Sequence, residues 1–425
     1  WAFLSDKIVK HGHVEDGVYV DLANDMRSRN CYLICGWNVE FDYNHLIAQR
    51  RMGRDYAFLR NILQRSERID LRDPYKRAVI GLGVYSLENV SIYEGFKPKQ
   101  RTKKVAELSK TELREYNNYD VELLLKIEEK YRFLERLLKM SETFNIPVSE
   151  IMAGETVVWD YLILRRLREL GYVAPRKIKR DKVEYAGAEI LEPEPGLKRD
   201  VAVFDFISLY PSIILRDSVD VFGFSGEVLP YYISQFLRLK NECDAKGDSV
   251  GKDIWKILMN SAYGMFGYVG SRYYDAKKAE HITREGRKAL LSVVDYLTSM
   301  GIRVYAGDTD SVFVDATTVE NLSAIERMLN KRFYPLQVKL DKYFQTVLFA
   351  GREGKGVKKR YIGLTKQGKI VARGFEVRRG DWCLFTKKAV LDVASMILTG
   401  SDLQKVSEKV SEIRATLFSG KVEKQ

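Results

Sequence analysis

The stretch from residue 304 to residue 314 consists of two short apolar runs on either side of an acidic centre. This pattern predicts two strands joined by a hairpin turn that carries Asp308 and Asp310. A carboxylate in a turn is ordinary, because Asp bonds readily to nearby backbone there. Two carboxylates between buried strands repel each other, and a divalent cation such as Mg²⁺ would relieve that repulsion. The hairpin alone leaves a metal site and a plain acidic turn equally open.

A second apolar run, residues 201–204, leads into Asp205 and then into a Ser-Leu-Tyr-Pro segment. We predict a strand that ends at Asp205 and is followed by a turn, so that Asp205 occupies the same kind of position as Asp308. Residues 336–341 alternate between apolar and polar side chains, which predicts a further strand ending at Asp341.

Other segments have the three- and four-residue apolar spacing of helices. A long helix is predicted from Tyr116 onwards, and shorter ones over residues 154–167, 231–242 and 273–298. The long helix has an apolar face made of Leu124, Ile127, Tyr131, Leu134 and Leu138. A helix from Thr386 onwards has a face made of Ala389, Val390, Val393, Met396 and Ile397. Around Lys256 and Asn260, a helix is predicted to pack through Ile254, Ile257 and Leu258.

Composition indicates a multidomain basic protein. The 425 residues are 45% hydrophobic and carry a net charge of +12, which indicates a polyanionic partner such as nucleic acid, although charge alone does not exclude a merely basic soluble protein. No apolar run is long enough to span a membrane, and no signal peptide is visible, although the start at Trp1 indicates that the natural N-terminus is missing. Cys31, Cys35, Cys243 and Cys383 lack zinc-site spacing, so we expect a reducing compartment and no secretion.

Three segments together resemble a known family. DFISLYPS at 205–212, KILMNSAYG at 256–264 and YAGDTDSVFV at 305–314 resemble motifs A, B and C of the family B DNA polymerases of the archaeal and eukaryotic replicative type. The resemblance implies an α/β and α+β multidomain fold. A ribonuclease-H-like 3′–5′ exonuclease domain would precede a right-hand polymerase with an antiparallel-sheet palm, helical fingers and the start of a helical thumb.

The resemblance also implies the polymerase chemistry. Asp205, Asp308 and the backbone carbonyl of Phe206 would hold two Mg²⁺ ions, with Asp310 in a supporting catalytic role. The groups implied to bind the nucleotide are the amides of Ser208 and Leu209 and the side chains of Tyr210, Arg238, Lys256 and Asn260. Tyr210 would stack under the sugar and exclude a 2′-hydroxyl. The family's second fingers cation, four residues after Arg238, is replaced by Glu242 here, and we assign no role to Lys240 from the sequence.

DNA contacts are implied at three places. Tyr185 and Gly187 lie in a segment similar to the family's Tyr-x-Gly-Gly/Ala loop, and Tyr263 and Gly264 would lie beneath the nascent base pair. Lys358, Lys359, Arg360 and Tyr361 resemble the Lys-Lys-Arg-Tyr motif that holds the primer end, although such a run is ordinarily a solvated patch. Asp341 is either a solvated strand end or an accessory acid near the metals.

Residues 1–130 resemble the exonuclease domain of the family. Asn38, Phe41 and Asp42 resemble the motif Exo II, and Tyr116 and Asp120 resemble Exo III, with Mg²⁺ or Mn²⁺ as the metal. Alternatively, Asp42 caps a helix at 43–50. The Asp-x-Glu of Exo I does not precede Asp42, and residues 1–5 are predicted to form the next strand. Two-metal hydrolysis needs the whole acid cluster, so the resemblance leaves proofreading by this chain open.

The implied domains are the exonuclease-like domain (1–130), a connecting segment with the start of the palm (131–200), palm (201–222), fingers (223–268), palm (269–380) and the start of the thumb (381–425). The N-terminal part with Exo I and most of the thumb are expected to be missing. Implied partners are primer–template DNA, dNTPs and a sliding clamp or accessory subunits, with a monomeric chain in the cytoplasm, nucleoid or nucleus. The alternatives are an inactive DNA-binding scaffold and a nuclease whose polymerase region only grips DNA.

Overall fold

The computed structural model describes residues 26–27, 33–48, 53–79, 82, 84–97, 107–317, 319–378 and 382–420. The predicted strand at residues 1–5 and Cys31 lie outside these ranges. The chain forms two compact units, Trp1–Val158 and Trp159–Gln425, and each is described by itself. Among the described helices, none has the length and apolar character needed to cross a bilayer.

The first unit contains two short parallel strands, β1 (Leu33–Gly36) and β2 (Glu67–Asp70), with Gly36 opposite Asp70. Its described helices are α1 (Val39–Ala48), α2 (Gly53–Arg65), α3 (Arg72–Ala78), α4 (Leu87–Tyr93), α5 (Lys110–Tyr131), α6 (Phe133–Phe144) and α7 (Val148–Met152). Helices α6 and α7, predicted to lie in a connecting segment, belong to this unit. Its core includes Ile69, Tyr75 and Ile127, all fully buried.

The long helix predicted from Tyr116 is two helices. Helix α5 begins at Lys110, where Ser109 and Glu112 form a capping box, and the chain leaves it at Arg132, which has a left-handed φ of 53°. The Glu128 carboxylate accepts hydrogen bonds from the amides of Leu134 and Glu135 at the start of α6. The predicted continuous face is therefore wrong beyond Tyr131: Leu134 is buried, but Leu138 is 42% exposed.

The second unit is built on a six-stranded antiparallel sheet with the order β4-β5-β3-β6-β7-β8. Its strands are β3 (Gly196–Phe206), β4 (Val304–Asp308), β5 (Ser311–Asp315), β6 (Val338–Arg352), β7 (Lys355–Thr365) and β8 (Ile370–Arg373). The predicted strands at 201–204, 304–306 and 312–314 are confirmed. The predicted strand at 336–341 starts two residues late, and it continues to Arg352 rather than ending at Asp341.

Helix α8 (Glu155–Glu169) contains the boundary between the two units. After it, the described residues of the second unit form eight more α-helices. They are α9 (Leu209–Arg216), α10 (Leu229–Ala245), α11 (Ser249–Ser261), α12 (Gly264–Gly267), α13 (Ala276–Ser299), α14 (Leu322–Arg332), α15 (Leu384–Leu398) and α16 (Leu403–Phe418). Helix α13 packs against β4 and β5, and α15 packs against β7. The buried residues of α15 are Ala394 and Leu398, one position beyond the predicted Val393 and Ile397.

Helices α10 and α11 pack against each other and are joined by only three residues. Ile254 and Leu258 of α11 are buried as predicted, but Ile257 is 44% exposed, so its predicted packing is wrong. The start of α10 is fixed by Asp220, which is 1% exposed. Its carboxylate accepts hydrogen bonds from four backbone amides, those of Val221, Gly226, Val228 and Leu229.

Candidate active site

A cavity of about 240 Å³ is lined by residues of β3, the β4–β5 hairpin, β6, β7 and β8. The three acids singled out in the sequence, Asp205, Asp308 and Asp310, all line it. Asp341 of β6 lines it as well. The interpretation of Asp341 as a solvated strand end is therefore wrong, because β6 runs on for many residues and places this carboxylate in the cavity.

The sheet pairing explains how distant residues meet. Asp205 is opposite Ser311 on β5 and opposite Lys339 on β6, so the last residues of β3 are fixed from both sides. The Phe206 amide donates to the carbonyl of Asp310 at 2.7 Å. The hairpin turns tightly at Thr309, whose left-handed φ of 59° is typical of two-residue hairpin loops.

Burial and mutual repulsion change the pKa values of the acids in the cavity. Burial, reinforced by Asp310 and Asp341, raises the pKa of Asp205 to about 6. Burial and the neighbouring Asp308 raise the pKa of Asp310 as well. For Asp341, burial alone would raise the pKa, but the ammonium groups of Lys342 and Lys339 outweigh it and lower the pKa. Negative charge in the cavity is thus only partly compensated.

Two cations neutralise Asp308. Lys359 Nζ lies 3.3 Å from one carboxylate oxygen of Asp308, and an Arg373 guanidinium nitrogen lies 3.6 Å from the other. Both cations come from the β7–β8 side of the sheet.

The donor set fits Mg²⁺, although the described residues include no group of three acidic, His or Cys side chains that could hold a metal ion. Asp205, Asp308 and Asp310 offer hard carboxylate oxygens, the ligands that Mg²⁺ prefers. Burial and then the neighbouring carboxylates raise the pKa of Asp205 and of Asp310, so the charged form of each acid is disfavoured without a nearby cation. A divalent cation would supply the compensating charge.

Tyr210 lies in the first turn of α9, directly after the β3 strand that carries Asp205. Its ring centroid lies 4.8 Å from that of Tyr263, and the two planes are tilted by 47°. The hydroxyls of Tyr263 and Tyr185 are hydrogen-bonded at 2.8 Å. Burial raises the pKa of Tyr210, and the charge of Asp310 raises it further. Three tyrosines predicted in separate motifs therefore form one contiguous group.

The loop that contains Tyr185 is attached to α13. The carbonyl of Ala186 accepts hydrogen bonds from Thr283 Oγ1 at 2.8 Å and from Arg287 at 2.7 Å. The carbonyl of Gly187 accepts from the same Arg287 nitrogen. The loop conformation is thus set by one turn of α13.

The structure does not bring Arg238 to the expected phosphate-binding group. Its side chain is 67% exposed and pairs with Gln235 and Glu242 on the outer face of α10. Lys240 occupies the inner face, because it lies four residues after the buried Phe236 whereas Arg238 lies two after it. Burial lowers the pKa of Lys240. The positive charges of Lys252, Lys256 and Lys339 lower it further, and the negative charge of Asp244 partly opposes this shift.

Lys240 was not among the predicted site residues, and its four-residue spacing from Phe236 is the signal that places it on the inner face of α10. Lys256 and Asn260 are both exposed and lie four residues apart on α11, as predicted. Lysines of α11 and β6 thus interact electrostatically with Lys240 of α10.

The Lys-Lys-Arg-Tyr run is divided among three environments. Lys358 is exposed, and Lys359, with a left-handed φ of 60°, contacts Asp308. Arg360 pairs with Glu376 at 2.6 Å and lies over the Phe375 ring. The ring of Tyr361 packs into the apolar cluster of the sheet, 5.0 Å from that of Phe313. The solvated-patch interpretation is therefore wrong for Tyr361, whereas Lys358 and Lys359 are exposed.

In the first unit, helix α1 begins at Val39, so Asp42 lies within its first turn. The alternative in which Asp42 caps a helix starting at residue 43 is therefore wrong. Asn38 has a left-handed φ of 62°, and its amide donates to Asp70 at 2.9 Å. Phe41 is exposed, and Tyr116 and Asp120 lie one turn apart on α5. Asp70 is an acid next to Exo II that the sequence did not single out.

The fold of the chain is that of a DNA polymerase. It is similar to the family B DNA polymerase from the hyperthermophilic archaeon Pyrobaculum calidifontis, with a TM-score of 0.68 over 98% of this chain and 61% of that one, at 24% identity. Residues 146–219 and 245–424, together more than half of the chain, match the model of the family described as DNA polymerase family B. The chain belongs to DNA polymerase family B, as the three motifs predicted.

Proteins of similar sequence are also named DNA polymerases. The chain is 28% identical to the DNA polymerase of Archaeoglobus fulgidus over 98% of this chain and 59% of that protein. It is 30% identical to DNA polymerase 2 of Aeropyrum pernix over 73% of this chain and 42% of that protein. It is 27% identical to DNA polymerase II of Escherichia coli over 82% of this chain and 54% of that protein. The chain spans about half the length of these relatives.

Proposed function

We propose that this chain carries the catalytic site of a template-directed DNA polymerase, which adds deoxynucleotides to a primer 3′ end. The observation that supports this most directly is the meeting of Asp205, Asp308 and Asp310 in one cavity of the sheet. These acids come from the motifs that resemble those of the family to which the chain belongs. Primer–template DNA and dNTPs are the proposed substrates.

Asp205 and Asp308, with the carbonyl of Phe206, would hold two Mg²⁺ ions, and Asp310 would support them. When bound, the ions would acidify the primer hydroxyl and neutralise the triphosphate and the pyrophosphate leaving group. The protein contributes position and charge rather than a covalent intermediate. Lys359 and Arg373, which pair with Asp308, would exchange that carboxylate for the DNA backbone when DNA is bound.

The triphosphate would lie against Lys256 and Lys240, with Asn260 beside them and the amides of Ser208 and Leu209 at the start of α9. This assignment gives Lys240 the role that the resemblance had given to Arg238. The Tyr210 ring would lie under the sugar and leave no room for a 2′-hydroxyl. The DNA would contact Tyr185, Gly187, Tyr263 and Gly264 near the base pair, and Lys358, Lys359, Arg360 and Tyr361 along the primer.

The sheet with its acids would be the palm, helices α10 and α11 the fingers, and α15 and α16 the start of the thumb. The first unit would be the exonuclease domain, with Asp42 and Asp120 as metal ligands for Mg²⁺ or Mn²⁺ and Tyr116, Asn38 and Phe41 around them. We leave its activity outside the proposal, because two-metal hydrolysis needs the whole acid cluster and the sequence supplies only Asp42 and Asp120 of it. A monomeric chain assisted by a sliding clamp or accessory subunits, in the compartment that contains DNA, completes the proposal.

Primer extension tests this function. A fluorescent primer on a DNA template with Mg²⁺ and dNTPs should be extended by the wild-type chain and not by Asp308→Asn, which keeps the shape of the side chain. Salt-sensitive DNA binding should be retained by the variant. Equal extension by both proteins would refute the assignment of the metal site. DNA binding without extension by either protein would favour an inactive DNA-binding subunit instead.

A further inference from the structure

The ring of Tyr210 packs against a point on α13 where the helix has no side chain. Gly286 is buried in the middle of this 24-residue helix, although glycine is the poorest helix former apart from proline. A Cβ at Gly286 would lie 3.0 Å from Cε1 of Tyr210 and 3.5 Å from a methyl carbon of Leu209. Such a Cβ contact with the ring is tighter than protein packing normally allows, so the ring would have to shift.

The Tyr210 ring also packs against Tyr263, with a centroid separation of 4.8 Å. Tyr263 is held in turn by the hydrogen bond between its hydroxyl and that of Tyr185. Tyr185 also lies close to a glycine, because a Cβ at Gly267 would come within 2.6 Å of its hydroxyl oxygen. The Tyr210 ring therefore contacts both the bare helix at Gly286 and a ring that is held by a hydrogen bond.

We propose that Gly286 is a positioning residue for sugar selection: the missing side chain sets where the Tyr210 ring stands. The inference rests on the proposed function, in which that ring excludes a 2′-hydroxyl. Gly286 would act only through Tyr210. Steric exclusion of one oxygen atom depends on a few tenths of an ångström, which is the displacement that a methyl group at this position would impose.

A double-mutant cycle tests the proposal, with Gly286→Ala, Tyr210→Ala and the double variant made in the full chain. Ser292→Ala, at an exposed position of α13, serves as the control for helix propensity. The readout is the ratio of kcat/KM for a dNTP to that for the matching rNTP in single-nucleotide insertion. Gly286→Ala should change this ratio at least about fivefold when Tyr210 is present and less than about twofold when it is absent. An unchanged ratio, or an equal change in both backgrounds, would overturn the proposal.

Failure of the proposed function gives a different result. If Tyr210→Ala leaves the ratio unchanged, Tyr210 is not a sugar gate, and both the gate and the inference built on it are refuted. If the wild-type chain does not extend primers, the contact between position 286 and the Tyr210 ring is tested by thermal unfolding of the wild type, the two single variants and the double variant. Gly286→Ala should raise Tm by at least about 2 °C more in the Tyr210→Ala background than in wild type. Equal shifts in the two backgrounds would refute the proposal independently of any catalytic activity.

Discussion

Lys359 Nζ and Asp308 Oδ1 are 3.3 Å apart, so a lysine predicted to bind the primer pairs with an acid predicted to bind metal. The two residues lie in different motifs and on strands that are not neighbours in the sheet. Their contact means that the positive charge of β7 reaches the acidic cavity. In the proposed polymerase, the same lysine would connect the primer end to the metal-binding carboxylate.

Lys359→Ala should weaken primer–template binding, because one phosphate-neutralising charge is lost. We expect the slope of log K against log salt to become less steep by about one. Fluorescence anisotropy with a labelled duplex at several salt concentrations measures it. Lys369→Ala, an exposed lysine on the neighbouring turn, should leave the slope unchanged. Equal slopes for the wild type and Lys359→Ala would contradict the placement of the primer.

Lys240→Met should lower kcat/KM for dNTP incorporation by about ten- to a hundredfold, as expected for the loss of a charged hydrogen bond worth about 1.5–3 kcal/mol. Arg238→Met should lower it less than about threefold, because that guanidinium already pairs with Glu242 on the exposed face. Single-turnover insertion at varied dNTP concentration gives both values. If Arg238→Met has the larger effect, the inward position of Lys240 is not the one used in catalysis.

Asp220→Ala should destabilise the second unit by at least about 3 kcal/mol, because four backbone amides, three of them in buried hydrogen bonds, lose their acceptor. Asp220→Asn should cost less, since one carbonyl oxygen of similar shape remains. Urea unfolding monitored by tryptophan fluorescence compares the two variants. A loss below about 1 kcal/mol for Asp220→Ala would mean that water replaces the carboxylate.

Glu94 gives the first unit a pH-dependent stability. Its side chain is 1% exposed, and it pairs with Lys130 and accepts hydrogen bonds from the hydroxyls of Tyr75 and Tyr131. Burial alone would raise its pKa, but these three partners outweigh burial and lower it. An acid whose pKa is lower in the folded state than in the unfolded state stabilises the fold. This contribution is complete at pH values above the unfolded-state pKa, and it is lost as the pH falls through the folded-state pKa.

Glu94→Gln should therefore cost about 1–3 kcal/mol at pH 7 and progressively less below pH 4.5. Denaturant unfolding from pH 7 to pH 3 follows the difference between the two proteins. A difference that stays constant over this range would show that the charge of Glu94 does not contribute.

The elements that the sequence predicted well have local signals. The hairpin around Asp308 and Asp310 needs only two apolar runs and a turn, and the helix carrying Lys256 and Asn260 needs only its own periodicity. The predictions were wrong where contacts between residues far apart in the sequence determine the position of a side chain. Asp341 reaches the cavity because β6 pairs with β3, whose sequence lies more than a hundred residues earlier. No local pattern contains that register.

Helical faces were the other source of error. The choice between Arg238 and Lys240 depends on which side of α10 packs against α11, and a charge pattern alone does not show this. At Arg132, one residue in a left-handed conformation turns the chain, so that the apolar period predicted for one helix belongs to two. A single φ value of this kind leaves no trace in the spacing of apolar residues.

The three-residue connection between α10 and α11 has a kinetic consequence. With so short a link, and with Asp248 capping α11 by accepting from the Gly251 amide, neither helix can slide far along the other. In the proposed polymerase, Lys240 and Lys256 would therefore reach a phosphate in a single movement. Reporter groups attached to either helix should record one closing rate rather than two.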